Sequence, residues 1–154
     1  MDVDEDAIIA TSPKNFVYQA TRLKMQKALK VLGSDQHILC ADTVVTAQNR
    51  ILRKAKTAQE ARDILLTQSG HETSIITCSM LHLPHFDLID ISCTTYHFNS
   101  FNEEALNAYL TSGEWQGKAG ACMVEGFCKP FIKKVEGLES NAMGLPIEKI
   151  VPYL

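Results

Sequence analysis

Along the chain, stretches with apolar residues at helical spacing alternate with shorter stretches dense in β-branched and aromatic residues. Ser12 followed by Pro13 has the form of an N-cap and first helical position, predicting a helix to about Leu32 with Phe16, Ala20, Leu23, Ala28 and Val31 as core positions. Gly33 and Ser34 stop it. His37 to Val45 reads as a buried strand with Asp42 near its C-terminal end, the end at which open α/β sheets place their ligands. Gln48-Asn49-Arg50 reads as a turn, and Thr57 with Glu60 as a capping box for a helix to about Thr67.

Glu72 to Leu81 and Phe86 to Phe98 are rich in Ile, Thr, Leu and aromatic residues and predict two strands, joined at Leu83-Pro84-His85 as an antiparallel pair. Ser100 and Glu103 predict a second capping box, opening a helix that ends near Ser112-Gly113. A short strand over Phe131 to Glu136 and helical turns starting at Pro146 complete the pattern. Interleaved helices and strands with at least one antiparallel pair imply a mixed α/β sheet with flanking helices.

Composition narrows the function classes. The 154 residues are 45% hydrophobic and 21% charged, enough for one domain with a substantial core. A formal charge of −3 gives no bulk attraction to DNA or to an anionic membrane, so a phosphate-bearing partner must be held by local lysines and arginines. The acidic start MDVDEDAII lacks the features of a signal peptide, and no apolar run approaches the roughly 20 residues of a spanning helix. Five cysteines without a CxxC pair fit a reducing compartment, so the expected location is cytoplasmic and the expected state is buried, reduced thiols.

Candidate chemistry is sparse. Asp42 sits in the apolar run Ile38 to Val45, where an unpaired charge costs several kcal/mol, so it must meet a cation, a metal or a strand-end opening. A catalytic carboxylate and a turn-capping aspartate explain it equally well on composition alone. Gly113 to Ala121 holds three glycines around Lys118 and could approach a phosphate, although it matches neither the Walker nor the dinucleotide pattern, and a tight connection is the commoner use. His82 and His85 flank Pro84 and read as a hairpin tip rather than a metal pair. Lys129, Lys133 and Lys134 read as a soluble strand edge.

At Ala41-Asp42-Thr43-Val44-Val45 the sequence resembles the Maf family of nucleotide pyrophosphatases, and the likeness continues in order along the chain. It runs through Lys54, Ser69-Gly70, Thr77, Tyr109-Leu110-x-Ser112-Gly113-Glu114, Lys118-Ala119-Gly120-Ala121 and Glu125-Gly126. It ends with Glu136-Gly137, Asn141 and Gly144-Leu145-Pro146. The resemblance implies an elongated, mixed α/β fold with a cleft between two lobes. It also implies hydrolysis of nucleoside triphosphates, including modified or noncanonical ones, to monophosphate and pyrophosphate with a divalent metal, Mg or Mn. A link to cell-division arrest comes with it.

Carried over residue by residue, the resemblance makes Asp42 the base that activates water, and Lys24 and Lys54 phosphate-binding catalytic lysines. It places Thr43, Glu125 and Lys118 against the substrate, and Glu5 with Asp42 at the metal. The implied partner is a nucleoside triphosphate, with neither DNA nor membrane, and a homodimer is left open. The family's opening strand and Ser-x-Ser-Pro-Arg-Arg loop have no counterpart here, so the expectation is a single Maf-like domain over residues 1–154, N-terminally truncated relative to the family. A catalytically impaired, nucleotide-binding or division-regulating relative is the alternative. Ala55 stands where the family has proline, Gly117 where it has an acidic residue, Thr73 where histidine is common, and Glu125 where glutamine is usual in the branch with an ADT motif.

Overall fold

The computed structural model describes residues 3–154. After a short 3-10 turn over Glu5–Ala7, helix α1 occupies Pro13–Leu32. Ser12 caps it as expected, its Oγ accepting the Asn15 N–H at 3.1 Å. The buried face comprises Phe16, Val17, Ala20, Thr21, Met25 and Ala28. Two expected core positions fail: Leu23 is 38% and Val31 73% exposed. At 3.6 residues per turn Leu23 falls on the opposite half of the helix from Thr21 and Met25, and Val31 lies in the last turn, beyond the packed face.

Strand β1 runs over Ile38–Ala47 and turns at Gln48 and Asn49, both with positive φ, into the three-residue strand β2 at Arg50–Leu52. Consecutive left-handed residues are what a two-residue hairpin requires, which is why an asparagine occupies this turn. The register pairs Val45 with Leu52 and Ala47 with Arg50, antiparallel. β2 is absent from the sequence reading because three residues carry no measurable period. The longer β1 also moves Asp42 from the expected C-terminal end to the middle of the strand.

Helix α2 covers Ala58–Gln68. Thr57 Oγ1 accepts from the Glu60 N–H at 3.1 Å, while the Glu60 carboxylate reaches past Thr57 to the Lys56 N–H at 2.7 Å. Strands β3 (Glu72–Leu83) and β4 (Phe86–Phe98) follow, joined by Pro84-His85, a connection short enough only for an antiparallel pair. Residues 75–81 of β3 are buried without interruption, as a strand covered on both faces must be.

Helix α3 spans Glu103–Ser112. Its N-cap is Asn102, whose Oδ1 accepts the Ala105 N–H at 3.1 Å, and not Ser100 as the sequence pattern predicts. Asn and Ser cap equally well, so the pattern could not choose between them. Gly113 ends the helix in the left-handed conformation. Strand β5 (Ile132–Glu136), helix α4 (Glu139–Ala142) and helix α5 (Ile147–Ile150) complete the chain.

The five strands form one sheet in the order β2-β1-β3-β4-β5, flanked by helices, as the mixed α/β expectation required. Two units can be distinguished. One comprises the chain up to Thr43 with Ile76–Cys93 and Leu138–Leu154, the other Val44–Ile75 with Thr94–Gly137. No helix among the described residues is long and apolar enough to cross a membrane.

Candidate functional site

The first unit holds Asp42. Its carboxylate Oδ2 accepts from Lys24 Nζ at 2.8 Å, and Oδ1 from the Thr43 N–H at 3.0 Å. The side chains of Lys24 and Asp42 are 25% and 12% exposed, so the pair is largely withdrawn from water. This is the cation that an aspartate in an apolar strand demands. Nor does Asp42 cap a turn: the next turn, at Gln48-Asn49, lies beyond the far end of β1. Lys24 comes from the middle of α1, beside Met25 and Ala28 on the buried face, so the helix sets the height of the ammonium along the strand.

Lys24 also lines an open pocket of about 520 Å³ with Glu5, Leu32, Leu39 and Cys40. Three of the expected site residues, Glu5, Lys24 and Asp42, are thus linked in one region, two by the pocket and two by the ion pair. Burial raises the Cys40 thiol above its ordinary value, against the opposing effect of Lys24.

Thr43 follows Asp42 in a hydroxyl relay. Thr77 Oγ1 donates to the Asn141 carbonyl at 2.9 Å, which commits its one proton. The 2.8 Å contact between Thr43 Oγ1 and Thr77 Oγ1 therefore has Thr43 donating, leaving its lone pairs as acceptors. Thr77 and Asn141 are fully buried. The sequence reading noted Thr77 and Asn141 as motif positions without a role, and the relay supplies one.

The second unit holds Lys54, Lys118 and Glu125. Lys54 is exposed and forms an isolated antiparallel bridge with Ala119, reinforced by Gly120 N–H donating to the Arg53 carbonyl at 3.3 Å. The Gly113 to Ala121 stretch is thereby tied to the strand-end lysine. Lys118 Nζ donates to the Glu114 carbonyl of its own loop, and Glu125 is exposed. Gly113, Gly117 and Gly120 all have positive φ, as tight turns require. At Gly120 a Cβ would also sit 3.0 Å from Val45 Cγ1.

Two readings of the other candidates are settled. His82 bonds Asp87 Oδ1 at 2.6 Å and the Ser34 carbonyl at 2.9 Å, as a residue at the hairpin end of its strand. Lys134 pairs with Glu136 at 2.8 Å. The expectation of five buried, reduced thiols needs correction: Cys122 and Cys128 are joined by a disulfide, and of the three cysteines outside it Cys78 is buried, Cys40 half-buried and Cys93 exposed. Only tertiary folding shows that the two cysteines sit at bonding distance, with Cα atoms 6.6 Å apart.

The Maf-like protein family profile matches residues 1–154. The chain belongs to the Maf family. A nucleoside triphosphate pyrophosphatase of a Nitratiruptor species is 48% identical over 152 residues, 97% of this chain and 82% of that protein. Proteins of the same name from Helicobacter pylori (strain Shi470) and Campylobacter jejuni subsp. jejuni are 38% and 36% identical, covering 98% and 99% of this chain and 80% and 85% of theirs.

The carboxylates available to a metal in this Maf chain are hard oxygen donors, the type that suits Mg²⁺ or Mn²⁺. No group of three or more His, Cys, Asp or Glu residues that could hold a metal exists among the described residues. Glu5 lines the pocket that Lys24 shares, and Lys24 is paired with Asp42; two carboxylates are within the number that Mg²⁺ takes from a protein when phosphates supply other ligands.

Proposed function

We propose that this Maf protein is a nucleoside triphosphate pyrophosphatase acting in the cytoplasm. It cleaves nucleoside triphosphates, including modified ones, to monophosphate and pyrophosphate, with Asp42 as the base. The observation that carries this reading is the Asp42–Lys24 pair, set on strand and helix in a chain whose relatives bear that enzyme's name. Water adds to a phosphorus of the anhydride, its proton passes to the Asp42 carboxylate, and the P–O bond breaks to release pyrophosphate. Lys24, already held against Asp42, offers its ammonium to a phosphate oxygen at the moment the base takes up the proton.

Lys54 and Lys118 supply further positive charge to the triphosphate, and Thr43, with its proton committed to Thr77, accepts a hydrogen bond from the nucleotide. Glu125 contacts the nucleoside. A divalent ion bound through Glu5 and Asp42 would withdraw charge from the phosphates. The protein's own charge of −3 makes these local cations necessary.

Pyrophosphate release across standard and modified nucleotides, with magnesium or manganese, tests the reading. Wild type should turn over at least one nucleotide, and Asp42→Asn should slow it by about a hundred- to ten-thousand-fold, the usual worth of a positioned base. Release from no nucleotide, or an unchanged rate in Asp42→Asn, would overturn it.

A further inference from the structure

The disulfide lies in the loop that carries Glu125. Cys122 and Cys128 are six residues apart and enclose Met123 to Phe127, with Glu125 exposed between them. Three restraints converge on this loop. A turn closes with Gly126 N–H donating to the Met123 carbonyl at 3.0 Å. Phe127 stacks on Tyr109 with centroids 4.4 Å apart. Tyr109 in turn donates its hydroxyl to the Ala121 carbonyl at 2.8 Å, its phenol pushed up to about 12 by burial and by Glu114, so it stays a donor.

Ala121, directly before Cys122, is held at φ +58°, a conformation costly for a residue with a Cβ. The bridge is therefore the covalent member of a set of contacts that keep a strained segment in place. Its two residues differ in access: Cys122 is half-buried and Cys128 fully buried. An incoming thiolate approaches from the Cys122 side, which makes Cys128 the leaving group. Cys78 and Cys40, whose thiols burial pushes above their ordinary value, stay protonated at neutral pH and do not compete, whereas Cys93 is exposed and has to be told apart from the pair by peptide mass.

We propose that Cys122 and Cys128 form a reversible thiol–disulfide site, through which a low-molecular-weight thiol and its disulfide tune how tightly the Glu125 loop holds nucleotide. The inference rests on the reading of Glu125 as a nucleotide contact. In the opening step a thiolate attacks Cys122 Sγ, the protein S–S bond breaks, and Cys128 leaves as a thiolate that takes a proton. A second thiolate then attacks the mixed disulfide at the small-molecule sulfur and frees Cys122. Two small thiols are oxidised to one disulfide as the protein bridge is reduced, and the closing reaction is the reverse. In a reducing cytoplasm the site would stand mostly open and close under oxidation.

The test uses the full chain equilibrated in glutathione buffers of graded ratio, beside a Cys122→Ser/Cys128→Ser double variant and the single Cys122→Ser. Alkylation and peptide mass should show two thiols gained at residues 122 and 128 on reduction and lost again on reoxidation. Amides of residues 121–129 should exchange about tenfold faster in the reduced protein and in both variants. KM for the nucleotide turned over should rise severalfold with kcat within about twofold. A bridge that fails to re-form, or equal exchange in both redox states, overturns the site. Equal KM with normal turnover overturns its link to nucleotide. No turnover in either state instead overturns the activity reading and, with it, the claim on affinity, while thiol counting and exchange still decide the site. Because reduced wild type carries no substitution, poor folding of a variant leaves the outcome readable.

Discussion

Single residues in this Maf chain gain their meaning from what they meet. Thr77 is an ordinary strand threonine in the sequence, yet its buried hydroxyl joins the half-buried Thr43 to the buried Asn141 carbonyl. Thr77→Val keeps the shape but removes the acceptor of the Thr43 hydroxyl and one of the donors to the Asn141 carbonyl, which also receives the Gly144 N–H, so chemical denaturation should show a loss of about 0.5–1.5 kcal/mol. His82 reads as part of a hairpin tip in the sequence and is tied to two acceptors in the fold. Both ring nitrogens face acceptors, Asp87 Oδ1 and the Ser34 carbonyl, an arrangement that favours the doubly protonated ring. The Ser34 carbonyl and then Asp87 raise its pKa above the ordinary 6.5. A raised folded value means that its contribution is complete below about pH 6.5 and disappears as pH climbs through that higher value. The difference in melting temperature between wild type and His82→Gln should accordingly be larger at pH 6 than at pH 9, and a gap that widens toward alkaline pH would contradict the assignment.

At the scale of elements, local pattern succeeded where a long period or a distinctive cap was present. α1 begins at Pro13 behind Ser12 and α2 behind Thr57, as read, because the capping chemistry is written within four residues. It failed where two adjacent candidates were chemically equal, as at Ser100 and Asn102. Asn102→Ala should lower the melting temperature through the loss of about 1 kcal/mol of capping, and by more than Ser100→Ala does. β2 escaped notice because it exists only through pairing with Val45 to Ala47. The Cys122–Cys128 bridge is likewise a relation between positions, worth somewhat less than the about 3 kcal/mol expected of a loop of about 15 residues.

For the whole molecule, the activity reading carries a thermodynamic consequence. A nucleotide bound to the folded chain at a hundred times its dissociation constant stabilises it by about 2.7 kcal/mol, or roughly 5–10 °C for a chain of this length. On the activity reading proposed above, Asp42→Asn should bind without rapid hydrolysis and show that rise with magnesium and a nucleoside triphosphate. No shift with any nucleotide would speak against the site. What the sequence by itself determined is the order of the longer elements, the family, and which residues are chemically able to act, since periodicity, capping and motif order are local properties of the chain. It marked Asp42 as a charge needing a partner but could not say which. Tertiary structure decided that Lys24 is that partner, that Thr43 donates to Thr77, that Leu23 faces water, and that Cys122 meets Cys128. Each of these is a distance between residues set by packing, and no local pattern encodes it.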